Sequence, residues 1–98
     1  MGRYLLLWDL DMSKIPVNPQ ERAAGWSMLT AMVKEDMKNG ALKDWGSFVG
    51  EMRGYAVAEG TEVEIGNFIQ QYVPYVSFTT HPVASVGQID EIIKNLAG

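Results

Sequence analysis

The chain has one histidine, His81, in the stretch "FTTHPV". Imidazole titrates near neutral pH and is the natural general base. Strand parity groups His81 with Ser77 and Thr79, at the rim of any pocket those two line. A histidine at a strand end can equally bond backbone or face water. Glu59, in "VAEG", shares a face with Tyr55. Half-buried, its carboxyl would titrate high and could act as acid or base; facing water, it would not. Trp8, Trp45, Tyr55 and Tyr75 alternate with Ser47, Ser77 and Thr79. Apolar walls carrying a few hydroxyls describe a small-molecule pocket. The same rings could also fill a subunit interface solid. The candidate residues are therefore His81 and Glu59 for proton transfer, and Trp8, Trp45, Tyr55, Ser77 and Thr79 for ligand binding.

Other chemistries lack the residues they need. Asp9 and Asp11, in "WDLDM", pair two carboxylates, but no further oxygen-ligand pattern follows, so no metal site is predicted. The chain has no cysteine, which removes disulfides, thiolate nucleophiles and Cys-type zinc sites. No phosphate-binding loop, dinucleotide fingerprint or Ser-His-Asp arrangement is present, and no cofactor is expected. The net charge is −4, and the eight Lys and Arg are scattered along 98 residues. The stretch "RGYAVAEG", from Arg53 to Gly60, opens like the strand motif of RNA-recognition sheets. Its fifth position is Val57, which cannot stack a base as that motif requires. With no basic face either, nucleic acid is not an expected partner. The apolar run Tyr4 to Trp8 is too short for a membrane span and lacks a signal-cleavage pattern, so a soluble, cytoplasmic chain is expected, with no membrane partner.

The elements that must carry these residues are legible. Arg3 to Asp9 reads as a buried strand, apolar on both faces. "NPQE" opens a helix, with Asn18 as N-cap, Pro19 at N1 and Glu21 at N3. Trp26, Leu29, Val33 and Met37 form its stripe, and Asn39-Gly40 ends it. Ala41 to Val49 and Tyr55 to Glu59 read as strands joined by the hairpin "GEMRG". Thr61 and Glu64 cap a second helix, with Ile65, Phe68, Ile69 and Tyr72 at i, i+3, i+4, i+7 and Pro74 as the stop. Tyr75 to Thr80 is a fourth strand, stopped near Pro82. "SVGQ" caps a third helix, with Ile89, Ile92, Ile93 and Leu96 at the same spacing. The order β-α-β-β-α-β plus a C-terminal helix predicts one α+β domain over residues 1–98. Its fold class is the ferredoxin-like split βαβ, a four-stranded antiparallel sheet with helices on one face.

Parity assigns the faces. Ala56, Ala58, Gly46, Phe48, Val76 and Phe78 suit the helix side, being small or purely apolar. The first strand is ambiguous; Leu5 and Leu7 are assigned to the helices, and Tyr4, Leu6 and Trp8 to the open face. Trp45, Val49, Tyr55, Val57 and Tyr75 then join them there. So large an apolar patch exceeds what soluble monomers expose, and something must cover it.

With that open face and the C-terminal helix, the chain resembles the dimeric α+β barrel superfamily, in particular its small bacterial and archaeal members. The likeness is densest from "GYAVAEG" through "EIGNFIQQYVPYVSFTTHPVASV". It implies a homodimer, in which two sheets pack face to face and close a barrel. The superfamily holds cofactor-free monooxygenases, isomerases, haem-dependent enzymes and sensing domains, so the fold alone does not select a function. Three functions follow as expectations. The first is a module binding a small apolar or aromatic molecule in a barrel pocket. The second is a cofactor-independent monooxygenase or isomerase with His81 or Glu59 as base. The third is a purely structural dimerisation domain.

Overall fold

The computed structural model describes residues 2–98. Its elements are β1 (Gly2–Leu10), a 3₁₀ turn (Met12–Lys14), α1 (Pro19–Lys38), β2 (Leu42–Ser47), β3 (Arg53–Gly60), α2 (Glu62–Gln70), β4 (Val76–Val83) and α3 (Val86–Ala97). The strands form one antiparallel sheet in the order β2-β3-β1-β4. This is the ferredoxin-like arrangement with an added C-terminal helix. The caps are those the sequence predicts. The Asn18 side chain accepts from the amides of Gln20 and Glu21, and Thr61 and Glu64 close a capping box on α2. Gly40, at φ 88°, turns the chain after α1 in a conformation that L side chains rarely adopt.

β4 runs three residues past the predicted end at Thr80, through Pro82, and ends at Val83. β4 lies at the sheet edge, so the missing proline N–H removes no ladder bond that a neighbour needs. The stripe of α1 also differs. Met37 faces solvent, and Asp36 takes the inward position beside Val33.

The core lies between the sheet and α1 and α2. It holds Leu6, Trp8, Val33, Leu42, Ala56, Ala58, Ile65, Phe68, Tyr72 and Val76. This reverses the expected faces of β1: Leu6 and Trp8 point to the helices, as does Tyr4, while Leu5 and Leu7 lie on the open face. The register supplies the reason. Trp8 stands opposite Gly54 and Leu6 opposite Ala56, so large β1 side chains meet the small helix-side residues of β3. A Cβ on Gly54 would collide with the Trp8 indole and the Gly46 carbonyl. The glycine of "RGYA" therefore makes room for a tryptophan. Trp45 is corrected in the same way. It pairs with Ala56 and turns to the helix side, where its ring stacks on Trp8 at 5.3 Å and 8°. A bulge between Leu42 and Asp44 brings both Leu42 and Trp45 to that side, although they are three residues apart.

Candidate functional site

A concavity lies on the helix side, where β1 ends and β4 begins. It is a groove of about 350 Å³, within the range of small-molecule pockets. The sheet contributes Leu10 and Val76, and α1 contributes Trp26, Met28, Leu29 and Met32. Ile15 and Pro16 close it from the loop that the 3₁₀ turn begins. Gln71, Tyr72 and Tyr75 line it from the chain after α2. The backbone amide of Asp11 donates to the Tyr75 carbonyl at 2.9 Å, tying those two segments together. Gly25 also borders the groove, and a Cβ there would meet nothing within 4 Å. A larger residue at this position would project into open space.

Three charged groups stand among these lining residues. Asp11 accepts from both the amide and the hydroxyl of Ser13, at 3.0 and 2.7 Å. Those bonds, the hydroxyl's first, hold its carboxyl below the usual range, with a smaller contribution from Lys14. Arg22 donates from Nη1 to the Val17 carbonyl at 3.1 Å. Neither Lys14 nor Arg22 enters an ion pair among the described residues. The groove therefore carries two cations against one carboxylate, on a chain whose net charge is −4.

Behind the groove lies a buried polar pair that sequence reasoning missed. The Tyr72 hydroxyl donates to Asp36 Oδ2 at 2.7 Å, and both residues are buried. Burial, and then the hydrogen bond to Asp36, push the Tyr72 phenol well above its ordinary range. One signal was present. Asp36 follows Leu29 and Val33 at i+7 and i+3, an inward position on an amphipathic helix.

The residues proposed for ligand binding are divided between the two faces of the sheet. Trp8 and Trp45 line a common gap, but on the helix side. It measures about 10 Å³, room for one water molecule at most. The Trp8 indole N–H donates to the Tyr55 carbonyl at 3.1 Å. Tyr55 lies on the open face, as expected, with its ring over Gly46. Its hydroxyl donates to Asp44 Oδ2 at 2.8 Å, and that bond raises its pKa. Ser77, Thr79 and His81 also lie on the open face and are exposed. Glu59 shares this face, 3.8 Å from Arg3. β1 runs between Glu59 and His81, since Glu59 pairs with Arg3 and His81 with Leu5. Tyr75 precedes β4 and borders the groove. The apolar centre of the open face is thus Leu5, Leu7, Tyr55 and Val57. Ion pairs Arg3–Glu59 and Arg53–Asp9, the latter at 3.0 Å, flank it.

Among the described residues, no helix is long and apolar enough to cross a membrane. In comparisons with known proteins, the chain matches no family model and no curated sequence.

Proposed function

We propose that this chain is a homodimeric binding module of the dimeric α+β barrel type. It pairs through its open sheet face and takes a small apolar or aromatic acid in the groove beside α1. The groove itself carries this proposal. It is of ligand size, walled by Trp26, Leu29 and Met32, and bordered by Lys14 and Arg22 without carboxylate partners. Apolar walls supply affinity, and a few placed polar groups orient the ligand. Two such cations suit a carboxylate head on an apolar body. The position differs from the barrel pocket expected beside Trp8 and Trp45, whose rings are consumed by core packing. His81 and Glu59 stand on the opposite face of the sheet from the groove, so they lend this site no base.

The test is a fluorescence titration with a panel of aromatic and medium-chain carboxylic acids, read against their neutral amides. Trp26 borders the groove, whereas Trp8 is buried in the core. A binding acid should change the emission, and Trp26→Phe should remove most of that change. Gly25→Leu should block binding while preserving the fold, because leucine favours a helix more than glycine by roughly 0.8 kcal/mol. An unaltered titration in Gly25→Leu would move the ligand out of this groove. No binding by any acid or amide would leave the structural dimer as the better account.

A further inference from the structure

Helix α3 is barely packed on the rest of its own chain among the described residues. Every residue from Val86 to Ala97 is exposed, and no other element makes substantial contact with it among the described residues. Yet it is built as a packing helix. Ser85 and Gln88 close a capping box at its start, with bonds of 2.8 and 3.1 Å. Ile89, Ile92, Ile93 and Leu96 make one apolar stripe, and these four are 45–83 % exposed. A helix of twelve residues is marginal alone in water, and most helix stability in proteins comes from packing such a face.

The whole molecule shows the same deficit. Its accessible surface is 6879 Å², whereas a compact monomer of 10.9 kDa exposes about 5,600 Å². The radius of gyration is 16.3 Å, against about 12.6 Å for a compact domain of this length. The extents are 61 × 26 × 19 Å, and strands of this length account for only about 30 Å of the long axis. The excess surface, about 1,300 Å², exceeds the roughly 800 Å² that each partner contributes to a standard stable interface.

We infer that α3 is an exchanged arm, whose Ile89–Leu96 stripe packs on a second copy of this chain. The surplus area is what a stable dimer requires. The chain also presents a second apolar surface, the open sheet face around the half-buried Leu5, Leu7 and Val57. A two-fold pairing satisfies both deficits reciprocally and closes, so no surface is left to recruit a third copy. The inference rests on the dimer proposed above and adds the arm to it.

Sedimentation equilibrium on the full chain tests it with two variants. In Ile89→Lys/Ile93→Lys, lysine keeps helix propensity and no element among the described residues makes substantial contact with α3, so circular dichroism should lose at most the α3 signal while the sheet, α1 and α2 are retained. Its dimer dissociation constant should rise at least 100-fold over wild type. Val57→Lys reports on the sheet face separately. A dimer unaffected by the α3 variant but broken by Val57→Lys would overturn the arm and leave the sheet dimer standing. Loss of the dimer in the α3 variant alone would support the arm and remove the sheet face from the interface. A wild-type chain that stays monomeric at high concentration would overturn both. If that monomer bound phosphatidylglycerol vesicles through the stripe, a membrane would replace the second copy as its occupant.

Discussion

Replacing Tyr72 with phenylalanine removes one oxygen from the interior and leaves the ring in place. That oxygen donates to Asp36 at 2.7 Å, and Tyr72 and Asp36 are 4 % and 5 % exposed. The hydroxyl is the one side-chain donor to Asp36 among the described hydrogen bonds. A hydrogen bond to a charged group contributes about 1.5–3 kcal/mol, and a buried carboxylate left without a donor adds desolvation cost. Tyr72→Phe should therefore lose about 2–3 kcal/mol of unfolding free energy. For a domain of this size that lowers the melting temperature by roughly 10–20 °C. The assay is urea unfolding at one fixed protein concentration. Adding Asp36→Leu to Tyr72→Phe removes the stranded carboxylate and should recover at least half of the loss, a non-additivity expected of direct partners. The pH dependence has a definite sign. The folded phenol titrates above its usual 10, so the unfolded chain loses this proton first. The stabilisation is complete below about pH 10 and is lost as pH rises through the folded value. The gap between wild type and Tyr72→Phe should close along that limb. A loss under about 0.5 kcal/mol, within the scatter of ordinary surface changes, would refute the idea that this pair joins α1 to the chain after α2.

Gly54→Ala should cost about 3 kcal/mol or more, because its new Cβ meets the Gly46 carbonyl and the buried Trp8 ring. Gly46→Ala should cost clearly less, since it meets the Tyr55 ring, which is half-exposed and can turn aside; equal losses in urea unfolding would contradict this packing. Val57→Lys should shift the proposed dimer toward monomer in light scattering, since burying an unpaired charge in the proposed sheet interface would cost several kcal/mol. An unchanged dimer would put the interface elsewhere. At the start of α2, the Thr61 amide and then its hydroxyl depress the Glu64 carboxyl. Its contribution is therefore present above the usual 4.5 and is lost as pH falls through the lower folded value. Glu64→Gln should flatten that acid limb of the stability curve.

What the sequence alone determined here was local. Caps at Asn18, Thr61 and Ser85 are satisfied by neighbours two or three residues away, so residue type and spacing suffice to place the helix starts. Hairpin length and helix periodicity then set the element order, and that order carried the ferredoxin-like fold. The alternation Ala56–Ala58 against Tyr55–Val57 also placed β3 correctly, because only one of its faces is made of small residues. The tertiary structure decided whatever depended on a partner strand. "YLLLW" is apolar on both faces and contains nothing to orient it. Its direction came from the register that sets Trp8 against Gly54 and Leu6 against Ala56. The side on which Leu42 and Trp45 fall came from one bulge, a one-residue change that inverts parity. The groove was invisible for the same reason. Its lining comes from residues 10–32 and 71–76, two stretches far apart in the chain, and no spacing rule relates them until β1 and β4 pair. Asp36 looks like a surface carboxylate until Tyr72, thirty-six residues later, arrives to hold it.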